Sequence, residues 1–121
     1  MTSDDTSNNP LFARLNELEQ ETDFEFVVEL IDIFLGETPK HIQTITSALR
    51  SQDYSALTIA AHTLKGSSLN LGAKRLGSLS LEFEEIGRSH SLISSEMNTQ
   101  EIEKEYEAVV SMLDVYKKRN T

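Results

Sequence analysis

From Leu11 to Tyr116 apolar residues return every three or four positions, and nowhere do apolar and polar residues alternate in a sustained period of two. A helix with about 3.6 residues per turn needs this recurrence to bury one face, whereas a half-buried strand needs the alternation. No hairpin dipeptide such as Asn-Gly is present either. The expected fold class is therefore all-α: an antiparallel four-helix bundle with an additional short N-terminal helix, joined by short loops.

Local signals place the boundaries. Residues 1–9 are polar and acidic and are expected to form a disordered tail, leaving residues 10–121 as a single domain. Pro10 fits the first position of a short helix carrying Leu11, Leu15 and Leu18 as far as Glu19. Thr22 or Asp23 can cap the next, whose face is Phe24, Val27, Ile31, Phe34 and Leu35, with Gly36 as its stop. Thr38-Pro39 then reads as a cap and first-turn pair opening a helix with Ile42, Ile45, Ala48 and Leu49, which ends near Ser51-Gln52. Asp53 caps a helix through Leu57, Ala61, Leu64 and Ser68 to about Leu71, and Gly72 supplies a tight end. From Ala73 to about Gly87, Leu76, Leu79, Phe83 and Ile86 keep the same spacing, so the chain folds back antiparallel into a hairpin over about 53–88. Ser89–Ser95 reads as a loop. Ile102, Tyr106, Val109, Leu113 and Tyr116 mark the last helix, which ends in Lys117-Lys118-Arg119, cations that suit its negative end.

Twenty acidic residues against 11 basic ones give a formal net charge of −9, which disfavours nucleic acid and anionic membranes as partners. Without Cys there is no disulfide framework, and a reducing, cytoplasmic setting is expected. The N-terminus has no secretory-signal pattern and no apolar run reaches membrane-spanning length. Lys65, Lys74, Arg75 and Arg88 fall in the central region, so a local positive field is compatible with the acidic total.

That region holds the chemistry. At about 100° per residue, Leu57, Ala61, Leu64, Ser68 and Leu71 form one stripe, while His62, Lys65, Gly66 and Leu69 lie on the other side. A neutral imidazole nitrogen is a nucleophile. A phosphoryl group placed on it would add charge that Lys65, three residues on, can counter. Gly66 costs about 1 kcal/mol against Ala inside a helix, and close approach by another molecule would account for it. His41, in an expected opening turn, and His90, in the expected loop, lack the partners a metal site requires, and no metal ligand set is expected.

The run His62-Thr63-Leu64-Lys65-Gly66-Ser67-Ser68, followed by Leu71-Gly72-Ala73, resembles the signature of histidine-containing phosphotransfer (HPt) domains. The likeness extends from about residue 23 to 116, through Phe34-Leu35, Thr38-Pro39 and the Leu76, Leu79, Phe83, Ile86 pattern. The resemblance implies a phosphorelay carrier: its exposed His accepts a phosphoryl group from an aspartyl phosphate on one receiver domain and passes it to an Asp on another. It implies a response-regulator receiver and a hybrid sensor histidine kinase as partners, Mg²⁺ on the receiver, no cofactor in this chain, and no kinase or nucleotide-binding activity of its own. By the same resemblance His62 is the phosphorylation site, Lys65 the charge partner and Gly66 the clearance residue. Ser67 and Ser68 match small supporting residues, and Arg88 matches a basic position near the phosphohistidine. Glu84 departs from the pattern, standing where some members have Gln. A carboxylate there opposes a phosphoryl group and is not expected to hydrogen-bond to it; the alternatives are that it holds Lys65 or Arg88, or orients the imidazole from its far nitrogen.

Leu69, exposed on the His62 side, is a candidate docking residue. The chain is expected to be a monomeric, stand-alone carrier, with a non-phosphorylated adaptor or inhibitor of a receiver or kinase as the alternative. An enzyme using His62 as a general base is the weakest reading, because neither a partner acid nor an oxyanion element can be named.

Overall fold

In the computed structural model, which describes residues 9–91 and 99–119, the apolar stripes become five helices: α1 (Pro10–Glu21), α2 (Phe24–Ser51), α3 (Tyr54–Leu71), α4 (Lys74–Ser89) and α5 (Thr99–Lys118). None of the described residues is in a strand. The four long helices α2–α5 make the bundle and α1 is the additional short helix, as expected. Asp23 and Asp53 cap α2 and α3, their carboxylates accepting the backbone N–H of Phe26 at 2.8 Å and of Ala56 at 3.1 Å.

Asn9 belongs to the fold. Its side-chain oxygen accepts the Leu11 N–H at 2.8 Å and its amide donates to the sulfur of Met112 at 3.2 Å, so it caps α1 and ties it to α5. Residues 1–8 of the expected tail, and residues 92–95 of the expected loop, lie outside the described residues. Ser89 is the last residue of α4, and His90 closes that helix in the left-handed conformation at φ 55°.

One expectation is overturned: Gly36 does not stop a helix and Thr38-Pro39 does not start one. Helix α2 runs unbroken through all three, with Pro39 inside it, and His41 lies in mid-helix instead of an opening turn. The reason is tertiary. Val27, Ile31, Phe34, Thr38, Ile42, Ile45 and Ala48 form one continuous buried stripe whose phase does not change across the proline. Proline in a helix interior leaves the carbonyl four residues back without its donor. Here that carbonyl is Leu35, and it receives the Tyr106 hydroxyl of α5 at 3.3 Å.

The core draws on every helix, with Leu15, Ile31, Ile45, Leu57, Leu64, Leu76, Phe83, Ile102 and Leu113 wholly buried. Helices α3 and α4 pack on each other more extensively than any other pair. Their closeness depends on two glycines: a Cβ at Gly87 would fall 2.2 Å from Thr58 Oγ1, and one at Gly77 would fall 2.7 Å from Leu69 Cδ2. Gly72 makes the turn between them. Its φ of +88° is readily available only to glycine, and the space its side chain would fill holds Arg14 Cβ at 2.6 Å and the Pro10 carbonyl at 2.9 Å, where α1 crosses.

Candidate functional site

The α3 stripe behaves as its phase requires: Leu57, Ala61, Leu64, Ser68 and Leu71 are buried, which turns His62 outward with its side chain 60% exposed. Across the hairpin, α4 buries Leu76, Leu79, Phe83 and Ile86, and the same rotation brings Glu84 to the seam between the two helices. Glu84 is 2% exposed, and the site is built around its carboxylate.

Oxygen Oε1 of Glu84 lies 2.7 Å from Lys65 Nζ. Oxygen Oε2 lies 2.9 Å from His62 Nδ1 and accepts two hydrogen bonds from Arg88, from Nε at 3.1 Å and from the guanidinium terminus at 2.6 Å. The Lys65 ammonium is the largest influence holding the Glu84 carboxyl down, to about 2; burial opposes it, and Arg88 and His62 assist. Glu84 is therefore a carboxylate at neutral pH and can only accept hydrogen bonds. That fixes the imidazole: Nδ1 must carry the hydrogen, and in the neutral ring the lone pair is left on Nε2.

Of the two uses left open for Glu84, the geometry shows both, since one carboxylate pairs with Lys65 and Arg88 while orienting the ring through Nδ1. The resemblance did not foresee that a single side chain would gather all three. The local positive field that the sequence allows around His62 is correspondingly reduced. Lys65 and Arg88 already face a carboxylate, and Arg75 pairs instead with Glu105 of α5 at 3.5 Å.

The remaining predicted residues divide. Among the described residues a Cβ on Gly66 would meet nothing within 4 Å, so no packing among them accounts for the glycine. Ser67 donates to the Leu64 carbonyl at 3.2 Å, a local helix contact, and Ser68 is fully buried, packing inward. Leu69 is 50% exposed, but its other side covers Gly77, so it is as much part of the hairpin seam as of the surface. Ile59, one turn before His62, is an exposed apolar residue that the sequence reading passed over. Gly77, Gly87 and Thr58 were missed as well; glycines on α4 at positions facing α3 were the available signal.

Among the described residues no group of three or more His, Cys, Asp or Glu side chains could hold a metal ion, and no helix is long and apolar enough to cross a membrane.

A model of the Hpt domain family matches residues 29–112, and the chain belongs to that family. It is 30% identical over 105 residues to histidine-containing phosphotransfer protein 2 of Arabidopsis thaliana, covering 84% of this chain and 67% of the relative. It is 32% identical over 89 residues to the phosphorelay protein LuxU of Vibrio harveyi, covering 74% and 78% respectively. Its backbone is similar to the crystal structure of histidine-containing phosphotransfer protein B (HptB) from Pseudomonas aeruginosa PAO1, with a TM-score of 0.77, 25% identity, and coverage of 87% of this chain and 91% of that one.

Proposed function

We propose that the protein is a phosphorelay intermediate in two-component signalling that carries a phosphoryl group on Nε2 of His62. The observation that carries this reading is the exposed imidazole held through Nδ1 by a buried carboxylate, which leaves Nε2 as the ring nitrogen open to a phosphoryl donor. Family membership supports the same reading.

The donor is a receiver domain carrying an aspartyl phosphate, itself charged by a hybrid sensor kinase, and the acceptor is the Asp of a second receiver. Mg²⁺ belongs to the receiver in each transfer. This chain supplies a nucleophile going forward and a leaving group in reverse, with no nucleotide site or kinase activity of its own. Lys65 and Arg88 offset part of the phosphoryl charge, Gly66 leaves room for the partner's active site, and Leu69 with Ile59 offers apolar surface to it.

Incubation with a phosphorylated receiver domain tests the proposal. The wild-type chain is expected to take up label that survives base and is lost in acid, while His62→Gln stays blank. Equal labelling of the two would sink it, and full signalling by His62→Gln in cells would favour an adaptor instead.

A further inference from the structure

Resting on that phosphocarrier reading, we propose that Glu84 keeps the Nδ1 proton on His62 through the whole transfer cycle, so that the phosphorylated ring is held as a cation and remains a good leaving group above neutral pH.

Nδ1 faces Glu84 Oε2 at 2.9 Å, and the carboxylate can only accept, so in the neutral, nucleophilic form of the ring the hydrogen is on Nδ1 and the lone pair on Nε2. When Nε2 attacks phosphorus, its lone pair becomes the N–P bond, and the acyl P–O bond breaks with its electrons going to the donor carboxylate. No proton has moved. The ring now has substituents on both nitrogens and a formal positive charge, and the Nδ1–H still points at a carboxylate.

Onward transfer reverses this balance. A carboxylate oxygen of the acceptor forms the new bond to phosphorus, and the N–P bond breaks with its pair returning to Nε2. If the proton has stayed on Nδ1, the departing group is a neutral imidazole. If it has been lost, the departing group is an imidazolate anion, a far stronger base and a far poorer leaving group. Retention of that one proton therefore decides whether the carrier can discharge.

A neutral side chain at position 84 could still accept the Nδ1 hydrogen bond, but it would not balance the ring's charge. A buried carboxylate does both, because a charge-assisted pair is stronger than a neutral one and is less screened away from water. Among the described residues, the ring meets the Glu84 carboxylate of α4, and the cations paired with that carboxylate are Lys65 from the ring's own helix and Arg88 from α4. Lys65 occupies the other oxygen, Oε1, so it keeps Glu84 ionised without competing for the oxygen that the ring uses. Arg88 shares Oε2, yet its side chain is 63% exposed and can turn towards an arriving phosphoryl group, leaving Oε2 to the ring.

The test uses the full chain phosphorylated on His62 by phosphoramidate, which needs no identified partner. Loss of the phosphoryl group is followed by ³¹P NMR from weakly acidic to alkaline pH, for wild type and Glu84→Gln. The wild-type rate is expected to stay nearly flat through mildly alkaline pH. In the variant it should fall as pH rises, approaching about tenfold per pH unit once most rings have lost the proton. The same pH profile in both proteins overturns the inference while leaving the carrier reading intact. Failure of phosphoramidate to form any phosphohistidine on wild type overturns both. Because Glu84→Gln could lose its fold, ¹⁵N spectra of the phosphorylated wild-type ring give a second readout. A protonated Nδ1 at mildly alkaline pH is the expected result, and a bare Nδ1 there refutes the inference without any variant.

Discussion

Tyr106 of α5 donates its hydroxyl to the carbonyl of Leu35 at 3.3 Å, and Leu35 is the residue whose helical acceptor Pro39 leaves open. A defect in one helix is thus closed by a side chain from another. The Tyr106 ring also stands 6.3 Å from that of Phe34, which places the hydroxyl over the break, and burial pushes the phenol towards its neutral, donating form.

If that contact compensates for the proline, the two residues must be energetically coupled. Tyr106→Phe in the wild-type background is expected to cost about 0.5–1.5 kcal/mol, the usual worth of one hydrogen bond. Pro39 is exposed, so Pro39→Ala removes little packing and returns the missing N–H; it should stabilise the fold by about 1–3 kcal/mol. In the Pro39→Ala background the Tyr106→Phe cost should shrink towards zero, read by a double-mutant cycle of urea denaturation curves. An undiminished cost would show that the hydroxyl has no bearing on the proline.

The same relationship explains what could and could not be read from the sequence. Gly36 and Thr38-Pro39 are correct local signals for a stop and a start, and taken alone they divide α2 in two. Evidence against the division lay in the spacing of Phe34, Thr38 and Ile42, which continues one stripe in phase, but the partner for Leu35 lies 71 residues away and no local rule reaches it. At the site the position is reversed. The outward turn of His62 followed from the phase of Leu57, Ala61, Leu64 and Ser68 alone. Glu84 could be placed near it only by comparison with a family pattern, and its three simultaneous contacts depend on how closely α3 and α4 approach, a distance set by Gly77 and Gly87.

Acid should reveal the Glu84 cluster. The carboxyl is held at about 2 in the fold against an ordinary 4.5, so between those values the unfolded chain binds a proton that the folded chain does not. Stability from this group is fully present above pH 4.5 and is lost as pH falls through about 2. Glu84→Gln should be less stable than wild type at pH 7 by about 1–3 kcal/mol, as expected for losing charged hydrogen bonds. Its stability should also decline less steeply on acidification, measured as urea midpoints across the acid range. Parallel declines would mean that other carboxylates govern the acid limb.

Lys65 and Arg88 both touch Glu84, but not with equal weight. The Lys65 side chain is 24% exposed against 63% for Arg88, so its charge is less screened by water, and it is the largest influence on the carboxyl. Lys65→Met should therefore move the Glu84 titration further towards 4.5 than Arg88→Met does, followed by ¹³C NMR of the side-chain carboxyl. A larger shift from Arg88→Met would reverse this ranking and make the guanidinium the main support of the carboxylate.

Two glycines on the hairpin should respond to alanine in opposite ways, separating what serves the fold from what serves a partner. At Gly87 the new methyl would lie 2.2 Å from Thr58 Oγ1 and 2.9 Å from the Thr58 backbone nitrogen. Backbone cannot yield as a flexible side chain can, so α3 and α4 must move apart, at about 1–3 kcal/mol for overpacking. At Gly66 the methyl meets nothing within 4 Å among the described residues, and the helix gains up to about 1 kcal/mol from the better helix former. Gly66→Ala should thus raise the denaturation midpoint while slowing phosphoryl transfer from a receiver domain, because the added group stands one turn from His62 where the partner must approach. Gly87→Ala should lower the midpoint, and any loss of transfer there should accompany the disturbed seam that carries Glu84. A Gly66→Ala chain that is more stable and transfers at the wild-type rate would remove the clearance role and leave that glycine without a physical account.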